Sequence, residues 1–350
     1  MNGNRNNFSE LTENQSRVYI DTTQVFEAYR AARKQSRSYR GGMTWKTVKG
    51  KKYLVRVLNR AGAQKSIGPY SGETELIFKQ FTEGKSASED RLQGLRERLI
   101  EQAKFCKAVK IQRVPTVTAS ILRMLDQNNL LGQNIVVIGT NALYAYEMAA
   151  GIFFDRPVMA TNDLDLLWDI RTKLVLGINR KIPKTGIMGI LRKIDSSFGL
   201  VSDGSFRARN KDGYMVDLIR ALPDPILASE PKSFGNVKDL AAIGINKIQW
   251  LISSPKISQI VIGEDGFPAI ITVPDPRAFA TYKLWLSEQD DREPRKKKRD
   301  KAQAFAVAEV VMKYLPQYPF SSGDLRMFPR KVFKGAKEHL ARKFPSGFEL

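Results

Sequence analysis

The chain has 350 residues, 42% of them hydrophobic, with 57 Lys and Arg against 36 Asp and Glu and a formal net charge of +21. That length and apolar content suffice for a buried core and exclude wholesale disorder and fibrous folds. One cysteine, Cys106, and one histidine, His339, exclude an intramolecular disulfide framework and a Cys/His zinc cluster.

The start has no apolar leader, and no run of about 18 apolar residues occurs, so a soluble protein of a reducing, cytoplasmic compartment is expected, without a membrane partner. Residues 1–110 carry 22 basic and 11 acidic side chains, residues 111–230 carry 14 and 12, and residues 231–350 carry 21 and 13. A nearly neutral middle is thus flanked by two basic arms, and the chain is expected to divide at about 110 and 230. The total exceeds the magnitude of about 2–8 that keeps a small domain soluble. A field of this kind attracts a polyanion, either nucleic acid or a nucleotide polyphosphate.

Val25, Phe26 and Tyr29 recur at helical spacing, and Gly41-Gly42 ends that pattern. Trp45, Val48, Tyr53, Val55 and Val57 then alternate around Lys49-Gly50-Lys51, which predicts a basic β-hairpin or three-stranded meander. Its interleaved lysines and aromatics suit either backbone neutralisation with base stacking or an ordinary solvated face. Ser86 to Glu89 reads as a capping box opening a helix with Leu92, Leu95, Leu99 and Cys106 on one side. Cys106 on that stripe reads as a core residue. A further helix starts at Pro115-Thr116 and closes at Gly132. Candidate boundaries are Gly41-Gly42, the Gly84–Ser88 stretch and the Pro-rich run 223–231.

Chemistry concentrates in the middle. Ile135 to Ile138 is a wholly apolar run that suits a buried strand, and Gly139-Thr140-Asn141 turns it into a helix through Ala150. Such a turn presents free backbone amides that suit a phosphate, and glycine lets the phosphate approach. It is neither a dinucleotide fingerprint nor a Walker A loop. In VMATNDLDLLWD, Asp163 and Asp165 stand two apart on a strand, so period two puts both carboxylates on one face. Two adjacent carboxylates repel unless a cation lies between them, and Mg²⁺ with substrate phosphates is the common solution. Asp155 and Asp169 read as surface or helix-capping acids. SFRARNKDGYMVDLIRAL reads as a hairpin from Phe206, turning at Lys211-Asp212-Gly213, with Asp217 between Val216 and Leu218 on the returning strand. A lone Asp in an apolar strand is costly unless paired or bound to metal.

The order Gly-Thr, Asp-x-Asp and a later strand Asp resembles the nucleotidyltransferase superfamily typified by DNA polymerase beta. The stretches IGTNALYAYEMAAG, ATNDLDLLWD, GYMVDLIR and DPRAFATYKLWLS resemble a prokaryotic nucleotidyltransferase-fold family within it, and more distantly the abortive-infection and toxin nucleotidyltransferases. The resemblance implies an α+β fold: a mixed sheet with helices as catalytic core, a helical C-terminal part and a small N-terminal basic hairpin. It implies that Gly139, Thr140 and Asn141 hold a triphosphate. Asp163 and Asp165 would bind two Mg²⁺ ions, and Asp217 would bind the catalytic one. The substrate would be an NTP, ATP among the candidates. The basic flanks suggest RNA as acceptor, transfer RNA first, with a protein side chain or a small molecule as other acceptors. The alternative reading is a catalytically inactive nucleic-acid-binding protein with the same fold. A toxin or phage-defence role, with an antitoxin or regulatory partner, would follow from the same likeness.

The C-terminal arm predicts a hairpin around Glu264-Asp265-Gly266 and a helix from Asp275-Pro276 with Phe279, Tyr282 and Leu286 on one side. Lys283 in that helix reads either as a phosphate ligand, by the resemblance, or as a solvated lysine. DREPRKKKRDK at 291–301 reads as a solvated loop or a nucleic-acid contact, with Asp300 capping the following helix. His339 reads as structural or exposed.

Overall fold

The computed structural model describes residues 8–59, 61–171, 186–222, 233–234, 239–321 and 323–345. The Pro-rich run 223–231 lies outside them. Contacts divide the chain into one unit of residues 17–111 with 266–268, and another of residues 1–16, 112–265 and 269–350. Gly41-Gly42 and Gly84–Ser88 both fall inside the first unit.

In that first unit, α1 (Glu13–Ser36) is followed by an antiparallel sheet of β2 (Gly42–Val48), β3 (Lys51–Val57) and β4 (Gln64–Pro69), in that order. The meander expected from alternation is therefore present. Its first turn is set by Lys49 and Gly50 at φ +48° and +75°, the paired positive values a two-residue hairpin of matching twist requires. Trp45 stacks on Phe78 at 5.9 Å and Arg56 covers Phe81 at 4.1 Å, both on α2 (Gly72–Ala108). This helix starts earlier than the sequence suggests. Ser71 and Thr74 form the capping box, and the Ser86–Glu89 pair lies inside the helix. Gly84 lies inside it without breaking it, and a Cβ there would clash with the Tyr39 ring. Cys106 is fully buried on α2 against the Thr22 hydroxyl of α1, and burial raises its thiol pKa, as befits a core residue.

The other unit is built on a six-stranded mixed sheet. Its elements run from β1 (Phe8–Glu10) through α3 (Thr116–Gln127), β5 (Ile135–Ile138), α4 (Leu143–Ala150), β6 (Ile152–Phe154), α5 (Arg156–Met159), β7 (Asp163–Trp168) and α6 (Gly186–Ile194). They continue with β8 (Gly199–Leu200), β9 (Arg207–Arg209), β10 (Met215–Ala221), β11 (Ile243–Ile245), α7 (Gln249–Ser253), β12 (Lys256–Ile262) and β13 (Pro268–Pro274). Three helices close the chain: α8 (Pro276–Ser287), α9 (Pro294–Tyr314) and α10 (Arg330–Lys343). The sheet order is β5-β7-β10-β9-β8, with β11 also on β10. β5 runs antiparallel to β7, β7 parallel to β10, and β10 antiparallel to β9. Val136, Leu167 and Ile219 pack with Trp250, Tyr282 and Phe328, so α7, α8 and the segment before α10 cover one face. The class is α+β. α3 ends at Gln127 with Asn128 as its C-cap, ahead of Gly132, whose positive φ belongs to the turn into β5.

Two sequence readings of the C-terminal arm need correction. Residues 294–301 form the first two turns of α9 rather than a loop, because Pro294 at the helix start pre-sets the backbone and the following lysines and arginines are good helix formers. Asp300 is therefore well inside the helix and caps nothing. Asp155 precedes α5 without a side-chain capping bond, and Asp169 pairs with Arg171. His339 sits against Glu288.

Glu147 on α4 is fully buried. Its Oε1 accepts from the Phe154 amide and the Arg113 guanidinium, both at 2.8 Å, which ties β6 to α4. Desolvation lifts its carboxyl from 4.5 to about 7, with Arg113 opposing. A carboxyl raised on folding contributes stability that is full below the unfolded value and lost as pH rises through about 7. Glu147→Gln keeps the acceptor for Phe154 and removes the titration. Its thermal midpoint should therefore fall less than that of wild type between pH 5 and pH 8, and parallel profiles would show the carboxyl ionised throughout.

Candidate active site

The β5-to-α4 turn is shaped by Gly139. Its φ is +67°, and a Cβ built there would overlap the Asp165 carboxylate. A side chain is excluded twice over, by the left-handed backbone and by the acid lying against it. Gly139→Ala is expected to cost about 1–2 kcal/mol for the backbone alone and to push Asp165 aside. A melting temperature equal to wild type would show that the turn relaxes freely.

Gly139 to Ala142 form a 3₁₀ turn that leads into α4. Thr140 and Asn141 are both buried there. The Asn141 Nδ2 donates to the main-chain oxygen of Asp163 at 2.6 Å, which pins the turn to the start of β7. The Thr140 hydroxyl accepts from Gln303 Nε2 at 3.0 Å, and the same amide donates to Val158 O at 2.9 Å. Gln303, on α9, is thus the residue that orients the turn from behind.

Asp163 and Asp165 are half-buried on one face of β7, while Leu164 and Leu166 are fully buried on the other. Asp217 on β10 stands directly across the parallel ladder from Asp165. The three acids named from the sequence are therefore neighbours in the backbone, and Gly139 lies against one of them. Thr161 donates to the Asp163 carboxylate. Asp165 makes no hydrogen bond or ion pair among the described residues. Burial first, then repulsion from Asp163 and Asp217, lifts its carboxyl to about 7, with Lys283 and Arg299 opposing.

Asp217 has a partner that sequence reasoning missed. Arg207 of β9, paired with it across the antiparallel ladder, donates from Nε at 2.7 Å and from a terminal nitrogen at 2.5 Å. A two-pronged pair of this kind is among the stronger charge-assisted contacts. The Arg207 guanidinium is held in its charged form by Asp217 above all, and also by Asp163 and Asp165. The signal was in the hairpin: Arg207 and Asp217 are symmetric about Asp212 in the turn.

Lys283 is not solvated. It is buried on α8 with Nζ 2.5 Å from Asp300 Oδ1, and the other Asp300 oxygen accepts from Arg292 at 2.8 Å. Desolvation lowers the Lys283 pKa, and Asp300 opposes the shift. This lysine helps offset the charge on Asp165, but its own hydrogen bond runs to Asp300.

Carboxylates are the hard oxygen donors that Mg²⁺ takes, and the charge-stressed Asp165 beside Asp163 suits a cation. Among the described residues, however, no group of three or more His, Cys, Asp or Glu side chains stands together closely enough to hold a metal ion. The reason is in the contacts above: Asp217 points its carboxylate at Arg207. The donor types and the register fit a divalent cation, and a third ligand requires Asp217 to let go of Arg207.

No curated protein matches the chain. Among solved structures, the chain is similar to an antigenic nucleotidyltransferase-like protein from Paracoccidioides brasiliensis, at 17% identity over 66% of this chain and 88% of that one. The TM-score is 0.35, too low to bear on the fold. No helix among the described residues is long and apolar enough to cross a membrane. A nucleotidyltransferase family model matches residues 116–325, which run from α3 through the glycine turn, all three acids and α9. The chain belongs to that nucleotidyltransferase family.

Proposed function

We propose that the chain transfers the NMP unit of an NTP to a hydroxyl of RNA, with Mg²⁺ as cofactor and pyrophosphate as leaving group. The observation that carries this reading is Asp165, without a hydrogen bond or ion pair among the described residues, set beside Asp163, across the ladder from Asp217 and against a glycine that cannot bear a side chain. Asp163 and Asp165 would hold the cation, with Asp217 as the third carboxylate. When bound, Mg²⁺ neutralises triphosphate charge and lowers the pKa of the acceptor hydroxyl.

The remaining work falls to the chain itself. The amides of residues 139–142 meet the triphosphate oxygens, and Gly139 leaves room for them. Gln303 occupies a lone pair of the Thr140 oxygen, which leaves the hydroxyl hydrogen free to be donated to a phosphate. The acceptor oxygen attacks the α-phosphorus, the bond to pyrophosphate breaks in line, and the acceptor proton passes to a carboxylate oxygen, a role we assign to Asp217 once it lets go of Arg207. Catalysis of this sort is mainly positioning and charge stabilisation.

The test is incubation of the protein with each α-³²P-labelled NTP, Mg²⁺ and total cellular RNA, beside Asp163→Asn. Label in a discrete RNA band that the variant does not produce supports the reading. Label on protein moves the acceptor to a side chain. RNA retained without any label would make the chain a binding protein that keeps the fold, with the Arg207–Asp217 pair as its resting state.

A further inference from the structure

Between Ala28 and Gly72 the sequence has twelve Lys and Arg and no Asp or Glu, which is more than half of the net charge of +21. This stretch supplies the end of α1 and the whole of the β2-β3-β4 sheet. Trp45 and Arg56 turn one sheet face onto Phe78 and Phe81 of α2. By alternation, the opposite face carries Lys46 and Val48 on β2 and Lys51 and Tyr53 on β3. The register sets Lys46 directly opposite Tyr53, and Val48 opposite Lys51. Lys46, Val48, Lys49, Lys51 and Lys52 are all exposed, and no ion pair to any of these lysines occurs among the described residues.

Like charges gathered on one small sheet repel, and the cost is usually relieved by interspersed acids. Here none are supplied. An exposed Val48 and a half-buried Tyr53 lie among the lysines, and on the other face Tyr70, 56% exposed, leans on Trp45 at 5.2 Å. Phosphates spaced along a strand, with bases that stack on an aromatic ring, match that pattern of charge and ring. A lipid surface would call for a continuous exposed apolar face beside the charges, and of the apolar residues on this face of β2 and β3 only Val48 is exposed, Val55 being buried and Tyr53 and Val57 half-buried.

We propose that the hairpin end of this sheet, made of the Lys46 and Lys51 face, the Lys49-Gly50 turn and Lys52 on the other face beside that turn, is the docking surface for the RNA acceptor. The choice of RNA over another phosphodiester polymer rests on the transfer reaction proposed above. Phosphate neutralisation by the four hairpin lysines should contribute about 3 to the slope of log affinity against log salt, from roughly 0.7 per phosphate on a single strand.

The experiment measures RNA binding by fluorescence anisotropy from 0.05 to 1 M salt. The full chain is compared with a quadruple variant, Lys46→Gln, Lys49→Asn, Lys51→Gln and Lys52→Gln; Asn is used at 49 because it tolerates the positive φ there. A second variant neutralises four exposed bases of α10, Lys331, Lys334, Arg342 and Lys343, and controls for charge alone. Circular dichroism and melting temperature establish that each is folded. The expected result is a loss on the order of 100-fold at 0.15 M salt for the hairpin variant, with a slope shallower by about 3 and convergence with wild type near 1 M. The α10 variant should lose far less.

Equal losses from both variants, or an unchanged slope in the hairpin variant, would overturn the surface. So would tighter binding of duplex DNA, or of vesicles with anionic lipid, through the same lysines. Wild type that binds no RNA at 0.05 M salt would do so as well. Labelling of RNA by NTP is read separately. Lysine-dependent RNA binding without labelling leaves this surface standing and removes the transfer reaction, and labelling that survives the quadruple variant does the reverse.

Discussion

Asp163→Asn is expected to reduce nucleotidyl transfer by about 10³-fold or more, the scale on which loss of a preorganised charge acts at a reacting centre. The substitution keeps an oxygen for the Thr161 hydroxyl and the main-chain oxygen that Asn141 grips. It also removes one of the two carboxylates that repel Asp165. The fold should therefore be retained or slightly firmer, with a melting temperature within a few degrees of wild type. RNA affinity should stay near wild type or tighten, since Asp163 contributes only repulsion to a polyanion. The readouts are single-turnover labelling, thermal melting and anisotropy. Transfer within tenfold of wild type would take Asp163 out of the reacting centre.

The second large effect is on stability. Asp300→Asn leaves Lys283 buried and without a counter-charge, and deprives Arg292 of the same carboxylate. Breaking a buried pair from one side typically costs about 3–5 kcal/mol, because the remaining charge stays desolvated. At roughly 2–4 °C per kcal/mol for a unit of this size, the melting temperature should fall by about 10 °C. Lys283→Met should cost less, since Arg292 still satisfies Asp300. Combining Lys283→Met with Asp300→Leu should recover much of the loss, as apolar replacement of a buried pair often does. A drop of under 2 °C for Asp300→Asn, by calorimetry at neutral pH, would show that water reaches the cluster.

The parts of this molecule legible in the sequence are those governed by short-range pattern. Apolar run, glycine and helix at 135–150, period two at Asp163 and Asp165, and the hairpin ahead of Asp217 all depend on neighbours within about a dozen residues. The family membership of residues 116–325 agrees with the motifs in that stretch. What was not legible depended on partners distant in the chain. Gly84 looks like a break, yet it lies inside α2, where a Cβ would clash with the Tyr39 ring. Lys283 and Asp300 each look solvated alone, and only the packing of α8 on α9 makes them one buried cluster. Gln303 is a single polar residue on a helix, and nothing local distinguishes it from a solvated one. Arg207 lies between these cases, because the hairpin register pairs it with Asp217, yet an arginine gives no hint that it will clasp the acid rather than face solvent.

The hydrogen bond from Gln303 to Thr140 spans 163 positions of sequence. A stretch that looks self-sufficient on paper, from the first apolar strand to the last acid, is therefore missing a brace. If the gene were cut after residue 230, the Gly139–Ala142 turn would lose its backing amide, and Val158 its donor. Asp165 would lose the positive field of Lys283 and Arg299. The reacting centre is not portable along the chain: it travels only with its last third.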